Sequence, residues 1–166
     1  AENLEETIYE GNGPNGVAII VETLTDNKNR TVAEVRHAFS KYGGSLGTDG
    51  SVAYLFTKVG QIVVENTDEE KIFDVSVSNG ADEVEQGDED NLIISVEAEE
   101  FHNLKNVLEE NEIKINQYEL IMKASNSVEL DDEASEKVIN LLESLEDLDD
   151  VQNVHSNAEF SEGSFA

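Results

Sequence analysis

Apolar residues in the first third of the chain follow first a strand pattern and then a helix pattern. Val17 to Thr23 is a continuous apolar, β-branched run, which predicts a strand buried on both faces. The next apolar residues are three or four positions apart, as on one face of a helix: Val32, Val35, Phe39 and Tyr42. Thr31 and Glu34 have the spacing of a capping box, and Gly43-Gly44 favours a helix end. We therefore predict a central strand followed by a helix.

The outer parts of the chain predict one further helix and three further strands. Ser51 to Thr57 and Gln61 to Glu65 predict a hairpin around Gly60. Apolar residues near the end repeat the helical spacing: Ala134, Val138, Leu141, Leu145 and Leu148. Val151 to Ser156 alternates weakly, which indicates an edge strand. The resulting order β-α-β-β-α-β predicts an α+β fold of the split, ferredoxin-like βαββαβ type.

The segment between the hairpin and the late helix has a pattern of its own. It predicts a helix near 69–77, strands near 82–85 and 91–96, a helix that contains Phe101, Leu104 and Leu108, and a strand at 118–123. We therefore expect a discontinuous ferredoxin-like domain of residues 1–66 and 128–160. A second small α+β domain, residues 67–127, would be inserted into it, and residues 161–166 would form a tail.

Charge is distributed very unevenly along the 166 residues, whose formal net charge is -28. Residues 1–60 contain five of the ten basic residues and eight acidic ones, whereas the remaining five lysines are accompanied by thirty acidic residues. Such an acidic surface repels nucleic-acid phosphates, so any contact with DNA or RNA is expected in the first third. The alternative interpretation is a solvated surface that keeps the protein in solution.

Composition limits the cellular compartments and the kinds of chemistry to be expected for the protein. Cys is absent, which excludes disulfides and thiolate chemistry and fits a reducing cytosol. The longest apolar run, Val17 to Val21, is far too short for a membrane span, and no signal peptide is recognisable. We expect a cytoplasmic protein without membrane contact. Because the chain starts with Ala and an acidic segment, we also expect a fragment or a processed form.

A dinucleotide-binding motif and a catalytic motif both occur in the wrong structural context. Gly11 to Gly16 matches GxGxxG, but a strand follows it instead of a helix, so a turn between two strands is predicted. Gly43 to Gly47 matches GxSxG, but it follows a helix, the reverse of a nucleophile elbow. There, the glycines are expected to end the helix and to let the chain pass close to its own sheet or to a partner. The acidic clusters and the three histidines lack metal-site spacing. We predict no enzyme activity, cofactor, metal or small-molecule substrate.

Five basic residues near the first predicted helix form the candidate site: Lys28, Arg30, Arg36, His37 and Lys41. The first two precede or open the helix, where free amides and the helix dipole favour a phosphate. The other three lie away from its apolar stripe. The alternative is an ordinary solvated helix face with a pair between Arg30 and Glu34. Base stacking on the sheet is not predicted, since the first and third strands lack aromatic residues and Tyr54 falls on the second.

Three runs of residues carry a resemblance to a known family: Tyr9 to Ala18 with its Gly11, Gly13-Pro14 and Gly16; Leu24 to Arg36; and Phe39 to Phe56 with Gly43-Gly44 and Leu46-Gly47. These runs closely resemble the YebC/PmpR family over about residues 9–60. The resemblance implies a three-domain protein in which a basic helical N-terminal domain precedes two α+β domains, one inserted in the other. This chain would comprise the second and third domains and lack the first.

The same resemblance implies a regulator of gene expression. Bacterial members are commonly described as probable transcriptional regulators that bind DNA, so the expected partner is DNA, contacted with help from the missing domain. A mitochondrial relative is a translational activator of cytochrome oxidase subunit I, and some bacterial members resemble ribosome-associated factors for proline-rich stretches. The alternatives are therefore a translation factor that contacts ribosomal RNA, and an acidic adaptor that binds a basic protein.

Overall fold

The computed structural model describes residues 3–162, which form two compact units. The first unit comprises residues 3–56 and 124–162, and the second comprises residues 57–123. The elements in chain order are β1 (Glu5–Asn12), β2 (Ala18–Thr25), α1 (Lys28–Lys41), β3 (Ser45–Leu46), β4 (Phe56–Glu65), α2 (Glu69–Ser78), β5 (Ala81–Gln86), β6 (Asn91–Glu97), α3 (Phe101–Glu110), β7 (Ile115–Ala124), β8 (Val128–Glu129), α4 (Asp132–Glu146), β9 (Val151–Ser156) and β10 (Ala158–Glu159). Within residues 3–162, no helix is long and apolar enough to cross a membrane.

The first unit has a four-stranded sheet in the order β3-β1-β2-β9 and a short parallel pair, β8 and β10. The predicted central position of β2 is confirmed, because β1 and β9 both pair with it in antiparallel register. Val17, which precedes β2, and alternate residues of β2 pack in one core with α1 and α4; this core contains Val17, Ile19, Val21, Val35, Phe39, Val138, Leu141 and Leu145. Apolar spacing therefore identified the helix faces that cover this sheet.

Glycines near α1 have the structural roles predicted for them. Gly43 has a φ of 82°, a left-handed conformation that ends the helix at little cost. A Cβ on Gly44 would collide with the carbonyl oxygen of Asn12, so the chain passes against its own sheet there. The segment Pro14–Gly16 forms a short 3-10 turn between β1 and β2, which confirms the turn predicted in place of a phosphate loop.

The second unit has the element order β4-α2-β5-β6-α3-β7 and the sheet order β5-β6-β4-β7. Its core lies between this sheet and the two helices: Ile62, Val64, Ile72, Leu92, Ile94, Val96, Phe101, Leu104 and Leu108. The α+β class is confirmed. The split βαββαβ order predicted for the outer segments is not observed there, because β4 pairs with β6 of the second unit.

The hairpin predicted around Gly60 is a single strand, β4, preceded by a 3-10 turn at Ala53–Leu55. Two contacts explain the difference. The carboxylate of Glu10 accepts hydrogen bonds from the backbone of Val52 and Ala53, which keeps these amides out of a strand ladder. Gly60 continues the strand because it pairs with Val96 of β6, and the ring of Phe101 packs on it where a Cβ would lie. The glycine therefore marks a close packing contact and does not mark a turn.

Candidate nucleic-acid interface

The first turn of α1 is capped by a residue other than the predicted one. Asn27 is the N-cap, and its side-chain oxygen accepts a hydrogen bond from the backbone N–H of Arg30 at 3.1 Å. Thr31, predicted to begin a capping box, lies inside the first turn and is buried. Its hydroxyl donates to the carboxylate of Asp150 at 2.7 Å instead. The helix therefore keeps a local cap, Asn27, and Thr31 bonds a partner distant in sequence.

Asp150 holds the start of α1 against the loop before β9. Its carboxylate accepts hydrogen bonds from Thr31 at 2.7 Å, from Thr25 at 3.1 Å and from Arg30 at 3.0 Å. The Asp150 side chain is 13% exposed, whereas Arg30 is 47% exposed. The hydrogen bond from Thr31, aided by those from Arg30 and Thr25, holds the pKa of Asp150 below its ordinary value, although burial opposes this. The protein thus places its own anion where an external phosphate was predicted.

Lys28 and Arg30 are both engaged with carboxylates. Lys28 lies 3.0 Å from Glu5 of β1. Arg30 lies 3.1 Å from Asp26 in addition to its contact with Asp150, and the predicted pair with Glu34 is present at 3.9 Å. A phosphate at this end of α1 would have to compete with these internal ion pairs.

Arg36, His37 and Lys41 project from the later turns of α1 and are exposed. Within residues 3–162, no carboxylate lies within 4.0 Å of any of the three. The ammonium group of Lys41 lies 5.4 Å from the ring centroid of Tyr42. His37 and Lys41 are four residues apart and share one face with Arg30, whereas Arg36 is rotated from His37 by about 100°. Within residues 3–162, the five predicted residues therefore divide into two that are paired with carboxylates and three that are not.

A loop of residues 47–55 is a feature that sequence reasoning missed. It is held by Glu10 of β1, which is 6% exposed and accepts hydrogen bonds from the backbone of Gly50, Val52 and Ala53 at 2.7, 3.0 and 2.7 Å. Burial disfavours ionisation of Glu10, but these three hydrogen bonds outweigh burial and lower its pKa. The one signal in the sequence was an acidic residue between Tyr9 and Gly11, at the end of an apolar alternation.

Acidic side chains dominate the remaining surface without forming a metal site. In the part of the chain that the structure describes, no group of three or more His, Asp or Glu side chains is arranged to hold a metal ion. A shallow cleft at the N-terminal end of α4 is lined by both acidic and basic groups, among them Asp131, Glu133 and Lys137. These observations leave α1 as the candidate surface for an anionic partner.

Comparisons with known proteins find similarity along nearly the whole chain. Residues 4–158 match the family described as "TACO1/YebC second and third domain". A probable transcriptional regulatory protein of Legionella pneumophila (strain Lens) is 52% identical over 156 residues, which cover 93% of this chain and 62% of that protein. One of the same description from Coxiella burnetii (strain RSA 493 / Nine Mile phase I) is 49% identical over 162 residues, with 97% and 66% covered. The chain thus spans slightly less than two thirds of these relatives.

A solved structure is also similar. The crystal structure of a conserved hypothetical protein from Aquifex aeolicus superposes with a TM-score of 0.82 at 43% sequence identity. The superposition covers 98% of this chain and 68% of the Aquifex chain.

Proposed function

Because this chain belongs to the TACO1/YebC family, we propose that it is part of a transcriptional regulatory protein and contacts DNA phosphates through the exposed cations of α1. The description of its relatives as probable transcriptional regulatory proteins supports the proposal. The protein acts by binding, without a catalytic step. Its contacts are Arg36, His37 and Lys41, and Lys28 and Arg30 contribute where a phosphate replaces an internal carboxylate.

The observation that carries the proposal is that, within residues 3–162, neither Arg36 nor Lys41 has a carboxylate within 4.0 Å, and both lie on one helix. At the start of the same helix, Lys28 and Arg30 each lie beside an acid. A cation without such a partner keeps its charge available for a phosphate, and binding then releases condensed counterions from the DNA. Phosphate contacts position a protein on DNA without reading its sequence. The α1 surface is therefore proposed as an orienting contact.

The number of free cations sets the strength and salt dependence of binding. Two phosphate contacts, from Arg36 and Lys41, correspond to a slope of about -1.8 in a plot of log K against log salt concentration. Affinity should then fall roughly 12-fold between 50 and 200 mM salt. Long-range repulsion from the acidic body lowers the affinity further, most strongly at low salt. The interaction is thus expected to be weak and to depend on the rest of the regulatory protein for specificity.

The proposal is tested by charge reversal with a matched control. Arg36→Glu combined with Lys41→Glu removes two proposed contacts, whereas Lys114→Glu combined with Lys137→Glu makes the same change in net charge at two exposed lysines elsewhere. Binding of a fluorescent DNA duplex is measured by anisotropy at several salt concentrations. The first pair should reduce the magnitude of the salt slope by about two, and the control pair should leave the slope unchanged. Equal effects of the two pairs would refute the proposed surface, and tighter binding of a structured RNA than of DNA would support a translational role instead.

A further inference from the structure

Tyr54 is the most exposed large hydrophobic side chain in residues 3–162. It is 76% exposed and lies in the 3-10 turn Ala53–Leu55, whereas its neighbours Val52 and Phe56 are 3% and 9% exposed. The sequence placed Tyr54 on a strand, where its ring would have lain on a sheet face. In the structure it projects from a turn that precedes β4. A ring this exposed gains little from burial on folding and is open to a partner.

The backbone around Tyr54 is fixed on both sides. Glu10 binds the amides of Gly50, Val52 and Ala53, and its own carbonyl accepts a hydrogen bond from Gly47 at 2.7 Å. On the other side, the carbonyl of Leu55 accepts a hydrogen bond from Ser125 at 2.7 Å. A buried carboxylate is costly unless its oxygens are well hydrogen-bonded, and here it is used to set the path of one surface loop. The loop therefore presents the ring from a defined position, which lowers the entropy lost on binding.

We infer that Tyr54 is a stacking platform for an unpaired base of single-stranded nucleic acid. This inference rests on the proposed function and adds a second kind of contact to it. Tyr54 is the one large apolar side chain of loop 47–55 that is exposed, and Thr48, Asp49 and Ser51 beside it are polar. One ring face matches one base, whereas a protein partner would require a larger apolar patch.

Base stacking also suits the charge of this protein. Every base has an aromatic face, and stacking on it requires no positive charge on the protein. A protein whose body repels phosphates can therefore hold an unpaired base through Tyr54. In a duplex the bases already stack on each other, so the ring has no free face to meet. The contact thus distinguishes single-stranded from double-stranded nucleic acid.

The absence of Trp from the chain provides a direct probe. Tyr54→Trp introduces a single tryptophan at the proposed contact, and titration with a single-stranded oligonucleotide should quench its fluorescence while affinity is retained. Tyr54→Ala should weaken binding of the same oligonucleotide roughly fivefold or more, without changing the salt slope, because no phosphate contact is lost. Binding of a duplex of the same sequence should be unaffected. Phe73→Ala is the matched control, because Phe73 is an exposed aromatic residue, 51% exposed, on α2.

The outcomes separate this inference from the proposed function. If Tyr54→Ala binds the single strand as tightly as the wild-type chain while the Arg36 and Lys41 reversal still weakens binding, the stacking inference is overturned and the proposed function stands. If the wild-type chain binds neither form of DNA at low salt, the proposed function fails and the stacking inference fails with it. If the Trp signal is quenched equally by an abasic oligonucleotide, the ring does not meet a base. The melting temperature of Tyr54→Ala should stay within about 2 °C of wild type, which excludes unfolding as the cause.

Discussion

Replacing Asp150 with Asn should destabilise the first unit far more than its position before an edge strand would indicate. The substitution keeps the shape of the side chain, removes its charge and turns one acceptor into a donor. The hydroxyls of Thr31 and Thr25 donate to this carboxylate at 2.7 and 3.1 Å, and hydrogen bonds to charged groups contribute about 1.5–3 kcal/mol each. Asn retains part of this stabilisation, and the half-exposed Arg30 adds little to it because solvent screens its charge. We expect a loss of about 2 kcal/mol.

The effect should depend on pH in a defined direction. The hydrogen bond from Thr31, with those from Arg30 and Thr25, holds the folded-state pKa of Asp150 below its value in the unfolded chain. A carboxylate with a lowered pKa stabilises the folded state fully above its unfolded pKa, and this contribution is lost as the pH falls through the folded pKa. The difference between wild type and Asp150→Asn should therefore be complete at pH 7 and should shrink as the pH falls below about 4.

Urea unfolding followed by circular dichroism at pH 7 and pH 3.5 measures both effects. Asp149→Asn is the matched control, because this neighbouring carboxylate is exposed and should change stability by less than about 0.5 kcal/mol. Two results would refute the reasoning. One is a loss at Asp150 no larger than at Asp149, and the other is a loss of the same size at both pH values.

Three further substitutions test other contacts of the fold. Asp90→Gly should stabilise the second unit by about 0.5–1 kcal/mol in thermal unfolding, because Glu89 and Asp90 have φ of 52° and 60° in the β5–β6 turn; a lower melting temperature would contradict this. Gly44→Ala should cost about 2 kcal/mol or more in urea unfolding, because its Cβ would meet the backbone of Asn12, and a neutral result would show that the strands can separate. Glu10→Gln should accelerate hydrogen exchange at the three loop amides that Glu10 binds. Unchanged protection of these amides would show that the carboxylate does not order the loop.

Sequence patterns predicted the elements whose signal is local. The helices α1, α2, α3 and α4 follow apolar residues three and four positions apart, and β9 has the predicted bounds Val151–Ser156. The hairpin prediction was wrong because the glycine on which it rested serves a contact with a residue distant in sequence. Gly60 was interpreted as a turn, but its lack of a Cβ serves the ring of Phe101, which lies on another element. β4 lies in the second sheet, between β6 and β7, and the β-α-β-β-α-β element order belongs to the second unit.

The cations of the candidate site could be predicted from the sequence, but the carboxylates that contact them could not. The positions of Arg36 and Lys41 on the exposed face of α1 follow from helical spacing alone. The carboxylate bound to Arg30 belongs to Asp150, which lies 120 residues away in sequence. Nothing in the spacing of residues connects the two. Tyr54 was likewise assigned to a strand because the carboxylate that removes its loop from the sheet comes from β1.

The contact between Arg30 and Asp150 also determines which substitutions can identify a nucleic-acid surface. Reversing the charge of Arg30 would place a carboxylate against Asp150, whose oxygen lies 3.0 Å from the guanidinium. Repulsion between the two carboxylates would then weaken the hydrogen bonds that Asp150 accepts from Thr25 and Thr31. DNA binding would then be lost through disorder of the first turn of α1, whether or not Arg30 touches a phosphate. Arg36 and Lys41 have no such internal partner in residues 3–162, so their reversal changes the outer charge and little else. Thr25, Arg30 and Thr31 are engaged with Asp150 inside the fold, so substitutions in the later turns of α1 test phosphate binding without disturbing that contact.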